Sequence, residues 1–236
     1  MPDTPLHTRA VPPSPTTHPA RAGSAVLARM GTLTLALACA APGAVWAHPG
    51  DLHTLATSHS AIAGLMHPWS GADHWLAMLA VGLWSALVVP RQRSDRLGAP
   101  LGFVGLLLVG AVLGLAQGDA GTAVWAGWVE PMVAASLLVF GLLVAARLRL
   151  SIVGSAALVG VFALCHGLAH GQELASADAH AAVLAGLTCS TLLLHGLGFA
   201  LGHAVQRWQP RLQRALAHTA GALLGGYGTL LLVGMA

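Results

Sequence analysis

The chain of 236 residues is 56% hydrophobic and 8% charged, with a mean hydropathy of +0.71, against about one quarter charged residues in ordinary soluble domains. It reads as an all-α, polytopic integral membrane protein. All 11 basic residues are arginine, which excludes a P-loop or a Schiff-base cofactor, each needing a lysine, and a formal charge of +3 spread over short loops excludes a nucleic-acid-binding face.

From Met1 to Ala28 the chain is rich in Pro, Thr, Ala and His and lacks apolar periodicity, so it has nothing to fold around. Arg29, the apolar stretch Leu33 to Ala41 and the small residues around Val45-Trp46-Ala47 predict a signal peptide cleaved after Ala47. The alternative, an uncleaved anchor, needs an apolar run nearer 20 residues. Residues 1–47 are thus an extension plus signal peptide, and residues 48–63 a short periplasmic lead carrying His48, His53 and His59. As a free N-terminus His48 offers an α-amine and an imidazole that chelate a divalent cation once deprotonated. A mobile tail is the plain alternative.

Residues 64–236 hold six predicted transmembrane helices: Gly64 to Leu87, Pro100 to Gln117, Glu130 to Ala146, Ser151 to His170, Ala181 to Leu201 and Ala215 to Met235. Each approaches the length that a hydrocarbon layer of about 30 Å demands. The loops with Arg91, Arg93 and Arg96, with Arg147 and Arg149, and with Arg207, Arg211 and Arg214 all fall on one side, which the positive-inside rule makes cytoplasmic. The alternate loops, holding Asp119 and then Glu173 with Asp178, have no arginine. Both mature termini are therefore expected in the periplasm, the protein lying in a bacterial inner membrane. Gly102, Gly105, Gly110 and Gly114, with Gly221, Gly225 and Gly226, are expected to allow close helix approach. Trp125 and Trp128 mark the outer boundary and Trp208 the inner one. Cys165 and Cys189 lie in apolar runs and suggest no disulfide; Cys165 reads as a small buried thiol rather than a soft ligand.

Ionisable groups inside such spans are costly and mark function. Spacing on a straight helix puts His67 and His74 on one face, with Asp73 beside them, and His166, His170 and Glu173 on one stripe. Span direction places both sets in the outer half, where Glu130 opens the third span. Imidazole with carboxylate suits nickel, cobalt, zinc or copper better than magnesium or calcium. His67, Asp73, His74, His166, His170 and Glu173 are thus the expected metal ligands, with Glu130, His195 and His48 as further candidates. Asp73 has a second possible role, as the acceptor that fixes the His74 tautomer. Pro68 removes a backbone donor and loosens the helix where His67 turns inward. His195, His203 and His218 read equally well as helix-to-helix hydrogen-bonding residues.

The run His67-Pro68-x-x-Gly71-x-Asp73-His74-x-Leu76-Ala77-Met78 followed by Val81-Gly82 resembles the signature of the HupE/UreJ family. His166-Gly167-x-Ala169-His170-Gly171-x-Glu173, Glu130-Pro131 and His195-Gly196 are similar to further blocks of that family. The resemblance runs from about Gly64 to the C-terminus. It implies six helices after a cleaved signal peptide, and permeation of nickel (Ni²⁺), with cobalt (Co²⁺) as a second substrate, in support of hydrogenase or urease maturation. The expected function is therefore secondary uptake rather than catalysis, driven by the membrane potential at about 2.3 kcal/mol per charge per 100 mV. The expected partners are the metal ion and the lipid bilayer, with no nucleotide and no nucleic acid, and a homo-oligomer is compatible. Two alternatives remain open: a membrane metalloenzyme in which Glu173 or Asp73 acts as general base on a metal-bound water, though no His-Glu-x-x-His helix is present, and a non-transporting metal-sensing accessory subunit.

Arginine asymmetry makes a direct topological prediction. A reporter active only in the cytoplasm should work when fused after Arg93 and be silent after Ala236; the reverse pattern would invert the orientation.

Overall fold

The computed structural model describes residues 60–88, 94–175 and 179–235, with the backbone alone for Ser94, Asp95 and residues 118–126. The signal peptide, the extension and the lead as far as His59, with His48 and His53, lie outside the described residues, as do Arg91, Arg93 and Asp178, whereas Ser60 to Ala63 at the end of the predicted lead open the first helix. The described chain is helical without strands, in the order α1 (Ala61–Met66), a 3-10 turn (His67–Trp69), α2 (Ala72–Val88), a second 3-10 turn (Ser94–Leu97), α3 (Gly98–Ala146), α4 (Ile152–Glu173), α5 (His180–Val205) and α6 (Pro210–Met235).

The first predicted span is not one straight helix. α1 and α2 meet at a bend of 86°. Ser60 opens α1 by accepting from the Ala63 N–H, and Pro68, at the start of the turn, has no N–H to continue the helical ladder. The Ser70 N–H and hydroxyl both fold back to the His67 carbonyl, at 3.1 and 2.7 Å. The Gly71 carbonyl then receives the His74 and Trp75 N–H groups and starts α2. The expectation that His67 and His74 share a helical face is therefore corrected: a break separates them, and the turn rather than a helical stripe aims His67.

Among the described residues five helices or limbs of helices are long and apolar enough to cross a membrane, or six if the bent pair counts as one span. The second and third predicted spans lie within one helical element, α3, as Gly98–Gln117 and Gly127–Ala146. Phe103, Leu107 and Ala111 from the first limb share a single buried cluster with Leu137, Phe140 and Val144 from the second. Pro131 sits inside the second limb.

Lipid supplies no hydrophobic drive between helices, so backbone proximity must do the packing. A methyl added at Gly64 would overlap the Val183 carbonyl, and one at Gly186 the Ala61 carbonyl, which seats α1 on α5. Gly82 against His195 and Gly198 against Leu79 seat α2 on the same helix. Gly110 and Gly114 meet α4 beside Leu164 and Leu168, and Gly141 with Gly221 joins α3 to α6. Gly102, Gly105 and Gly226 have open space where a side chain would go, so the packing role expected of them does not hold. Trp128 and Trp208 are exposed, as boundary residues would be.

Substituting Gly167, whose added methyl would collide with the Leu107 carbonyl, should cost about 1 to 3 kcal/mol. Gly167→Ala should accordingly lower the melting temperature of the detergent-purified protein, whereas Gly102→Ala should leave it unchanged. Equal behaviour of the two would refute this packing.

Candidate metal centre

The broken first span and the end of α4 bring two sets of ligand-type side chains together. His67 Nε2 lies 2.7 Å from Glu173 Oε2, and His170 Nδ1 lies 3.8 Å from the same oxygen, beyond hydrogen-bond reach. One ligand atom from each of His67, His170 and Glu173 falls within 4.8 Å of the others. The burial is graded: the His170 side chain is 1% exposed, His67 14% and Glu173 48%. Glu173 is the side of the cluster that meets the outside.

A column of rings continues inward. The His74 ring centroid is 4.6 Å from that of His170 and 5.3 Å from that of His166. Phe103, fully buried, follows His166 at 5.5 Å, and His195 follows Phe103 at 5.0 Å. His67, His74, His166, His170 and Glu173 are thus brought close together. His195 is close to the column but separated from His166 by an aromatic ring. Glu130 is exposed, near enough to interact electrostatically with His74, Asp73 and Glu173. His48 lies outside the described residues.

Hydrogen bonding fixes how the imidazoles present themselves. His166 Nδ1 is 2.9 Å from the Phe162 carbonyl, and His195 Nδ1 is 2.7 Å from the Thr191 carbonyl. A carbonyl only accepts, so each Nδ1 carries the proton and each Nε2 keeps a free lone pair. At His74 the same outcome comes from Asp73, whose Oδ1 accepts from the His74 N–H and stands 2.9 Å from its Nδ1. Asp73 is therefore placed to orient His74, the second of its two expected roles. The Nε2 atoms of His74, His166 and His195, and both ring nitrogens of His170, are buried without a hydrogen-bond partner. Buried polar atoms are nearly always paired, and each orphan costs about 1 to 3 kcal/mol. Concentrated in one column, they leave ring nitrogens open on neighbouring imidazoles.

Other candidates are elsewhere. Cys165 is half-buried and Cys189 exposed, both as free thiols, so Cys165 is less enclosed than expected and belongs to no ligand group among the described residues. His180 faces solvent near the Ala175 carbonyl, and His218 is exposed. Sequence reasoning missed Phe103, because one aromatic in an apolar helix carries no distinguishing pattern. The bonds from His166 and His195 to the carbonyls four residues earlier were legible in principle, since on a helix that carbonyl lies under the side chain.

Membrane-length helices enclosing a buried cluster of imidazoles and carboxylates define a polytopic membrane protein with a site suited to a cation. The chain belongs to the HupE/UreJ family, whose model, described as "HupE / UreJ protein", matches residues 35–231. It is 37% identical over 203 residues to "Protein HupE" of Rhizobium leguminosarum bv. viciae, an alignment covering 86% of this chain and 97% of that protein. No solved structure matches the chain.

The cluster contributes little to holding the fold. The Glu173 carboxylate is half exposed, which limits its pairing with His67 to about 1 kcal/mol at most, and His170, 3.8 Å from the same carboxylate, makes no hydrogen bond. In chelator-treated protein Glu173→Gln should shift the melting temperature by no more than a few degrees, and His170→Leu should leave it unchanged or raise it. A fall of more than about 10 °C in either variant would mean that these residues are structural.

Proposed function

We propose that the protein is a secondary permease that takes up nickel, with cobalt as a second substrate, across the bacterial inner membrane in support of hydrogenase or urease maturation. Membership of the HupE/UreJ family supports this reading, as does the relative that carries the name HupE. The observation that carries it is the set of orphaned Nε2 atoms, because a neutral imidazole whose Nδ1–H is already committed is the form that ligates a metal.

In this reading the ion is captured by His67, His170 and Glu173, where the half-exposed carboxylate supplies charge and access. His74 and His166 receive it next, Asp73 positions His74, and Glu130 adds negative potential at the entrance. His195 is the next lone pair inward, past Phe103. His48, freed by signal cleavage, serves as an auxiliary capture group. Nitrogen donors with one or two carboxylates match nickel and cobalt without discriminating sharply among borderline divalent ions. With both mature termini in the periplasm, the ligand cluster faces outward and the membrane potential drives entry.

Nickel uptake by metal-depleted cells that lack other nickel routes tests both halves of the proposal. His74→Ala, His166→Ala and His170→Ala should each abolish uptake with the protein still present in the membrane. Asp73→Asn should instead weaken metal affinity by about 10- to 100-fold, seen as a raised KM. Wild-type rates in both His74→Ala and His166→Ala would remove the site assignment; no accumulation by the unaltered protein would remove the transport reading itself.

A further inference from the structure

At the end of α2 away from the His67–Glu173 cluster, a cavity of about 340 Å³ opens between Arg147, Arg149, Arg214 and His218, with Leu87 and Val88 among its apolar wall. Its basic residues come from two separate parts of the chain. α3 ends at Arg147, which takes the left-handed conformation (φ 49°, ψ 40°) and directs its N–H back to the Leu143 and Val144 carbonyls. A residue with a side chain seldom adopts that conformation. The following turn is tied down by Trp84, whose Nε1 donates to the Leu148 carbonyl at 2.9 Å. Arg147 and Arg149 thus sit on an anchored turn. Arg214 and His218, four residues apart in the first turns of α6, present one face toward them.

Three guanidinium groups share this concavity, and among the described residues none forms an ion pair with a carboxylate. Orientation in the membrane does not require such an arrangement. Arg207 and Arg211 serve the charge asymmetry equally well, exposed and away from the cavity wall. What the convergence adds is a set of planar donors around one volume, the geometry that matches phosphate oxygens. The exposed Trp208 lies on the connection just before α6, and such rings favour the headgroup level of a bilayer.

We propose that this cavity binds a phosphate group, and specifically the headgroup phosphate of an anionic phospholipid in the leaflet onto which it opens. The arginines take the phosphate oxygens, and the wall of Leu87 and Val88 takes the apolar continuation that free phosphate lacks. Basic pockets between transmembrane helices recognise anionic headgroups in this way. The site is independent of the metal cluster and of the transport reading.

The test uses the full-length protein in nanodiscs of phosphatidylcholine mixed with phosphatidylglycerol, with retained lipid measured by mass spectrometry. The unaltered protein should enrich phosphatidylglycerol over the bulk mixture. Each arginine in contact with an anionic headgroup is worth about a five-fold change in affinity, so R147Q/R214Q should bind it about 25-fold more weakly. R207Q/R211Q, which removes the same charge from the same face, should retain the enrichment. Should R147Q/R214Q fail to accumulate, Arg149→Gln alone, on an exposed side chain, should still show about the five-fold loss. Absence of enrichment in the unaltered protein, or its equal loss in R207Q/R211Q, would overturn the proposal. Stabilisation by inorganic phosphate with no phosphatidylglycerol enrichment would overturn the lipid assignment and leave a free-phosphate site.

Discussion

A helix can be interrupted within a hydrocarbon layer only if the freed backbone groups find partners inside the protein, and the break between α1 and α2 meets that condition. Ser70 returns its N–H and hydroxyl to the His67 carbonyl, and Gly71 gives its carbonyl to the first N–H groups of α2. Trp69 reaches across to α5, donating from Nε1 to Ser190 Oγ at 3.0 Å. The bend of 86° depends on those bonds. So does the placing of His67 against Glu173, because the turn and not a helical stripe aims His67. Glycines complete the arrangement: Gly64 and Gly186 allow α1 to lie directly on α5, and Gly82 and Gly198 do the same for α2. One helix is thereby shared by both arms of the broken span, and the ligand cluster is held from both sides of the break.

The two kinds of polar group in the core are treated differently. Hydroxyls and indoles that serve the fold are satisfied: Ser136 Oγ donates to the Val133 carbonyl, Thr191 Oγ1 to the Leu187 carbonyl, and Trp84 Nε1 to the Leu148 carbonyl. The imidazoles are satisfied on one nitrogen and left open on the other, with His170 open on both. Several such orphans together cost a sizeable part of the roughly 5 to 15 kcal/mol by which a typical protein is stable. A core under selection for stability alone would have replaced them with Leu, abundant in these helices. Retaining them in one column is the pattern expected when a ligand supplies the missing partner, and it is why the uptake proposal begins there.

Much of this was legible in the sequence. Hydropathy gives the helices of the second half closely, since a lipid-facing helix must be apolar over a fixed length. The two histidine blocks stand out because ionisable residues in such segments are expensive. The break at His67 was only half legible: Pro68 announces a loosened helix, but whether the chain bends slightly or turns by a right angle depends on where Gly64 and Gly186 let α1 dock. The glycines divided for a related reason. Gly110 and Gly102 look alike in sequence, yet the first meets the α4 backbone and the second meets open space, and only the facing helix decides which. Asp73 had two readings that spacing could not separate; the 2.9 Å contact to His74 Nδ1 favours the orienting one.

The two ends of α2 are chemically opposite. At its start, lone pairs on His74, His166 and His170 and the carboxylates of Asp73 and Glu173 are all acceptors, a surrounding that lowers the energy of a cation. At its finish Arg96 is buried, and its Nη2 gives to the Ala86 carbonyl at 2.8 Å and to Gln206 Oε1 at 3.1 Å, while the guanidinium lies 5.3 Å from the Phe199 ring centre. Gln206 also donates to the Ala86 carbonyl, so that the ends of α2 and α5 are tied through one oxygen. Carbonyls in the last turn of a helix carry partial negative charge, which makes that position suitable for a buried guanidinium and unsuitable for orphaned acceptors. The molecule is therefore accommodating to a cation where its acceptors are open and unfavourable to one where its guanidinium groups gather. That asymmetry comes from the direction of two helices and needs no conformational change to exist.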